Sequence, residues 1–108
     1  METTPYTTPV PEVGNISDGS LSPRFGLGNL VATPGVIDAI GLDNVMPYVF
    51  MHLTGHWGDL DEEDQRTNDW SVENGSRILS AYHWKGEKFW IITERDRSVT
   101  TLLLPDEY

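Results

Sequence analysis

Residues 77–104 read RILSAYHWKGEKFWIITERDRSVTTLLL, and this stretch decides the fold. Apolar and polar side chains alternate through RILSAYHW, the period of a half-buried strand. Trp84-Lys85-Gly86-Glu87 has the makings of a tight hairpin turn. The β-branched and aromatic run KFWIIT follows, then a second turn at Arg95-Asp96-Arg97, then SVTTLLL. Three strands joined by two short turns predict an antiparallel meander.

Upstream, the period lengthens to that of helices. Asp61 to Glu73 predicts a helix with acids crowded into its first turn, where they favour the positive end of the helix dipole. Leu60, Trp70 and Val72 form only a thin apolar stripe, so this helix belongs on the surface, and Asn74-Gly75 ends it. Val45, Val49 and Leu53 trace the apolar face of a second helix, from Asp43 to Gly55, with Pro47 near its start. Thr33-Pro34 reads as N-cap and first residue of a short helix bearing Val36, Ile37 and Ile40. Residues 27–32 supply a fourth strand. The expected fold is α+β: a small antiparallel sheet of three to four strands, with two to three helices packed on one face. Residues 24–108 form this single domain. Residues 1–23 hold four of the seven prolines and few large apolar groups, and read as a flexible Pro/Thr-rich tail.

Charge divides along the same line. The formal net charge is −10, and residues 38–73 carry nine acids against one base, Arg66. Residues 74–108 carry five of each. An acidic surface repels a phosphate backbone, so direct nucleic-acid binding is not expected. The absence of Cys excludes disulfides, iron–sulfur clusters and thiolate zinc sites. No apolar run is long enough for a membrane span, and no basic-then-apolar leader opens the chain, so a cytoplasmic protein is expected. No cofactor motif is present: Gly26-Leu27-Gly28 lacks the later Gly and Lys of a phosphate loop.

Few constellations carry chemistry. His52 and His56 have the i, i+4 spacing of zinc ligands, but Leu53 stands where a metalloprotease needs Glu, and no metal site is assigned. Asp59, Asp61, Glu62, Glu63 and Asp64 resemble a calcium loop in composition only, because the sixth and twelfth positions are Asp64 and Trp70. Glu94-Arg95-Asp96-Arg97 reads as a turn of self-paired charges, or as an arginine clamp for an anion. Ser80 has no base near it in sequence. Of the four tryptophans, Trp90 is expected in the core between Phe89 and Ile91. Trp70 and Trp84 read as amphipathic positions, and an exposed Trp also suits a partner-binding anchor.

LGNLVATPGVIDAI, HLTGHWGDLDEEDQRTND, GSRILSAYHW and KFWIITERDRSVTTLLLPDEY all lie within Leu27–Tyr108. Together they resemble a family of small uncharacterised bacterial proteins borne by plasmids, prophages and other mobile elements. Its members carry labels such as plasmid-related protein or type I restriction methylation subunit. The second label conflicts with a 108-residue chain that has no methyltransferase motif. The family pattern has Gly-Asp-Trp-Gly-Asp where this chain reads Gly55-His56-Trp57-Gly58-Asp59, so His56 departs from it. His52, Asp64, Asn68, Tyr82, Glu94, Asp96, Arg97, Ser98 and Thr101 fall on matching positions. The resemblance implies a mobile-element origin and assigns none of these residues a role.

Two readings follow. The first is an acidic protein-interaction module, an inhibitor whose Asp59, Asp61, Glu62, Glu63 and Trp70 contact a basic, nucleic-acid-handling host protein. The second is a small enzyme or anion-binding domain. Its pocket gathers His52 and Asp64 from the helices with Tyr82, Glu94 and Arg97 from the sheet, His52 as base and Arg97 on the anion. A homodimer through the sheet edge is a third.

Overall fold

The alternating stretch forms β2 (Ile78–Trp84), β3 (Glu87–Thr93) and β4 (Val99–Leu103) in a computed structural model that describes residues 4–10 and 22–108. Each strand pairs antiparallel with the next, Ser80 opposite Ile91 and Ile91 opposite Leu102. Lys85 and Gly86 both have positive φ, 48° and 82°, which matches a two-residue hairpin turn to the right-handed strand twist.

The expected fourth strand is present as β1 (Asn29–Ala32), but it runs parallel to β4, with Leu30 opposite Thr100. The sheet is therefore mixed, in the order β1-β4-β3-β2. Parallel neighbours need a long connection. Here it is the helical segment, α1 (Pro34–Ala39), α2 (Leu42–Leu53) and α3 (Glu62–Asn74), which carries the chain from one edge of the sheet to the other, followed by β2 and β3, which bring it back to β4 beside β1. Thr33 caps α1 by accepting from the Val36 N–H, Asp61 caps α3 by accepting from the Asp64 N–H, and Gly75 closes α3 in the left-handed conformation. Because α2 already begins at Leu42, Pro47 sits past its first turn and leaves the Asp43 carbonyl without a helical donor.

The period of two sorts the sheet's side chains. Tyr82, Phe89, Ile91 and Leu102 face α1 and α2 and form one core with Val36, Val45, Tyr48 and Val49. The rings of Tyr48, Tyr82 and Phe89 meet at 5.2–5.7 Å. Trp90 is not in this core. Flanked by inward Phe89 and Ile91, it points to the opposite face, where it meets the Tyr108 ring edge-on at 5.7 Å. The buried tryptophan is Trp57, whose indole N–H donates to Asp69 at 3.0 Å.

α3 attaches to the outer edge of β2 by polar groups. The Asn68 amide donates to the Leu79 carbonyl (2.7 Å) and accepts from the Leu79 N–H (3.2 Å), completing the ladder that a further strand would supply. Of the expected tail, residues 1–3 and 11–21 lie outside the described residues. Residues 4–10 are irregular, as their composition implies, yet they are held to the domain: Thr8 and His83 exchange two hydrogen bonds of 2.7 Å, and the Gly86 N–H donates to the Tyr6 carbonyl. Among the described residues, no helix is long and apolar enough to cross a membrane.

Candidate functional site

The five residues expected to share a pocket occupy three places. His52 and Tyr82 are fully buried between α2 and the sheet. The Tyr82 hydroxyl donates to the His56 carbonyl at 2.7 Å, and burial pushes its pKa up. Arg97, at φ 61°, turns its guanidinium inward. It donates to the carbonyls of Ser71 (2.9 Å), Ser76 (2.6 Å) and Glu94 (3.2 Å) and lies 5.7 Å from the Phe25 ring centroid. Its cation thus ties the β3–β4 turn to the C-terminal end of α3, where the helix leaves carbonyls unpaired. Glu94 and Asp64 are on the surface, Glu94 3.6 Å from Arg77 and Asp64 in the first turn of α3. With His52 and Tyr82 wholly enclosed, the five do not share an open pocket.

What surrounds His52 was not visible in the sequence. Its Nδ1 lies 2.5 Å from the Ser80 hydroxyl and its Nε2 2.8 Å from that of Thr93. Thr93 bonds Thr100, which donates to the Leu27 carbonyl. Ser80 thus has a base beside it after all, 28 residues away in sequence. The pair is not set up for nucleophilic catalysis. Both residues are wholly buried, Phe25 and Trp57 close over the imidazole at 5.2 and 5.9 Å, and burial with nearby Arg97 lowers the His52 pKa to about 3. A general base works best with a pKa near the operating pH. His56 sits apart with its Nδ1 at the Thr54 hydroxyl, so the two histidines do not converge. Among the described residues no group of three or more His, Asp or Glu is placed to hold a metal ion.

The residues expected to bind a partner also divide. Asp59 accepts from Tyr6, Thr8 and His83. Partial burial would raise its pKa, but these hydrogen bonds outweigh burial and hold the carboxyl below the usual range. It anchors residues 6–8, and Asp61 is spent as the cap of α3. Glu62, Glu63 and Trp70 remain on the outer surface of α3. Glu63, Arg66, Thr67 and Trp70 follow one another at i, i+3, i+4 and i+7, and line a shallow depression. Trp70 is 59% exposed. On the other side of Thr67 lies a cleft of about 250 Å³, with Leu60 and Leu79 as apolar lining and Asp64, Asn68 and Arg77 as polar lining. The sequence missed this cleft because Arg77 and Leu79 reach it from the strand side.

No protein-family model, curated protein or solved structure matches this chain. Its function has to be read from its surfaces.

Proposed function

We propose that this chain is a small acidic protein-interaction module. It docks through the outer face of α3 on a basic surface of a nucleic-acid-handling protein and acts there as an inhibitor of mobile-element origin. The observation that carries this reading is Trp70. A large aromatic side chain stands 59% exposed on the same helix row as Glu63, two turns beyond three first-turn carboxylates. None of Glu62, Glu63 and Asp64 is in an ion pair among the described residues. Exposed Trp is rare on a surface that needs only to be soluble, and common at the centre of interfaces. Unpaired carboxylates around it steer a basic partner and set its orientation.

The test is capture of host proteins on the immobilised chain. Basic nucleic-acid-binding proteins are expected to be retained at low salt and released at high salt. Glu62→Lys with Glu63→Lys, and separately Trp70→Ala, are each expected to weaken retention by about tenfold or more, the weight of one good interface contact. No basic protein retained, or retention indifferent to all three substitutions, rejects the proposal.

A further inference from the structure

The two edges of the sheet are finished differently. On β2 the outward main-chain groups are engaged one after another. Asn68 takes both groups of Leu79, the Ala81 N–H donates to the Trp57 carbonyl, and the Ala81 carbonyl accepts from the Asp59 N–H. Thr8 takes both groups of His83, and the Lys85 N–H donates to the Thr7 hydroxyl.

At the other edge, β1 has no such cover among the described residues. The Asn29 N–H donates to the Ser98 carbonyl (2.9 Å) and the Thr33 N–H to the Leu102 carbonyl (3.0 Å), so the odd-numbered residues face β4. Alternation then turns the N–H and C=O groups of Leu30 and Ala32 away from the sheet. Leu30 and Val31, on opposite faces, are 39% and 46% exposed. The strand Asn29-Leu30-Val31-Ala32 has no charge, no proline and no bulge to keep it from pairing, and only its four-residue length blunts the edge.

Such an edge takes an extended backbone, and charge selects whose. Glu107 stands at the C-terminal end of β1, accepting from the Thr33 hydroxyl and the Gly35 N–H, and Asp38, on the helix that follows β1 directly, is exposed. A second copy would bring the same net charge of −10 to the contact. We propose that the β1 edge is a strand-addition site for an extended apolar segment flanked by Lys or Arg, belonging to a basic partner protein. Leu30 and Ala32 exchange their main-chain hydrogen bonds with it, and Leu30 and Val31 each pack against one of its side chains. The site lies on the edge away from α3 and does not depend on the docking role of that helix.

The peptide Lys-Lys-Val-Thr-Val-Thr-Val-Lys-Lys is a suitable probe, with amide hydrogen exchange on the full chain as the readout. Saturating peptide is expected to slow exchange at Leu30 and Ala32 by about tenfold or more, and to change Val31, already bonded to β4, much less. Ala32→Pro removes one outward donor without touching the bonds to β4, and is expected to abolish the effect. A peptide N-methylated at every Val and Thr tests the same point on the unaltered protein. Replacing the peptide's Lys by Glu is expected to weaken binding by about tenfold. No protection at Leu30 and Ala32 up to about 1 mM peptide overturns the proposal. So does equal binding of the Glu peptide, or protection that grows with protein concentration alone, which would give the edge to a second copy.

Discussion

His52 holds a titratable ring where no water reaches it, with each ring nitrogen matched to a hydroxyl. Burial favours the neutral imidazole, with which one hydroxyl donates and the other accepts. The folded pKa of about 3 lies below the ordinary 6.5, so the unfolded chain takes up the proton first as pH falls. The stability this ring contributes is complete above pH 6.5 and is lost progressively towards pH 3, by about 1 kcal/mol per pH unit. His52→Gln is expected to lose about 1–3 kcal/mol at neutral pH, since one amide cannot satisfy both hydroxyls in the same geometry. It is also expected to flatten the pH dependence of the urea midpoint between 6.5 and 5. A variant with the wild-type slope would show that His52 does not govern it. None of this network is legible from spacing, because Ser80 and Thr93 lie 28 and 41 residues away from the ring that joins them.

At the scale of elements, short-range signals are legible and edge assignments are not. The period of two in residues 78–84 and the turn at Lys85-Gly86 act locally, so the hairpin could be read directly. So could the caps at Thr33 and Gly75. The partner of β1 depends on where three helices deliver the chain, and a four-residue strand carries no mark of parallel or antiparallel pairing. α3 misleads in another way. Its apolar stripe is thin because it is held by Asn68, by Ser71 and by the Arg97 guanidinium at its C-terminal end. A turn of alternating charges thus conceals a structural tie. Arg97→Met is expected to release the Ser71 and Ser76 carbonyls, costing about 1–3 kcal/mol. Faster amide exchange at Gly75 and Ser76 would accompany it, with β2 and β3 little changed. Unaltered exchange there would show that Gly75 alone closes the helix.

Across the described residues, the fold pairs a sealed edge with an open one, and the seal on β2 is partly lent by residues far away in sequence. Seven hydrogen bonds tie Tyr6, Thr7 and Thr8 to Tyr48, Asp59, His83, Lys85 and Gly86. At about 1 kcal/mol each they supply about 7 kcal/mol. Ordering three residues and their side chains costs about 5 kcal/mol. The surplus of about 2 kcal/mol is modest, so these residues matter less for holding the domain together than for denying its edge to other chains. Deleting residues 1–10 is therefore expected to lower unfolding stability by only about 2 kcal/mol while exposing the main-chain groups of His83 and Lys85. The expected consequence is association. In sedimentation at high salt, where repulsion between acidic chains is screened, the truncated chain should self-associate at lower concentration than the full chain. Exchange protection should then appear at His83 and Lys85. Equal sedimentation of the two chains would mean that Asn68 and the Trp57–Asp59 segment suffice to guard the edge, and that residues 6–8 serve stability alone.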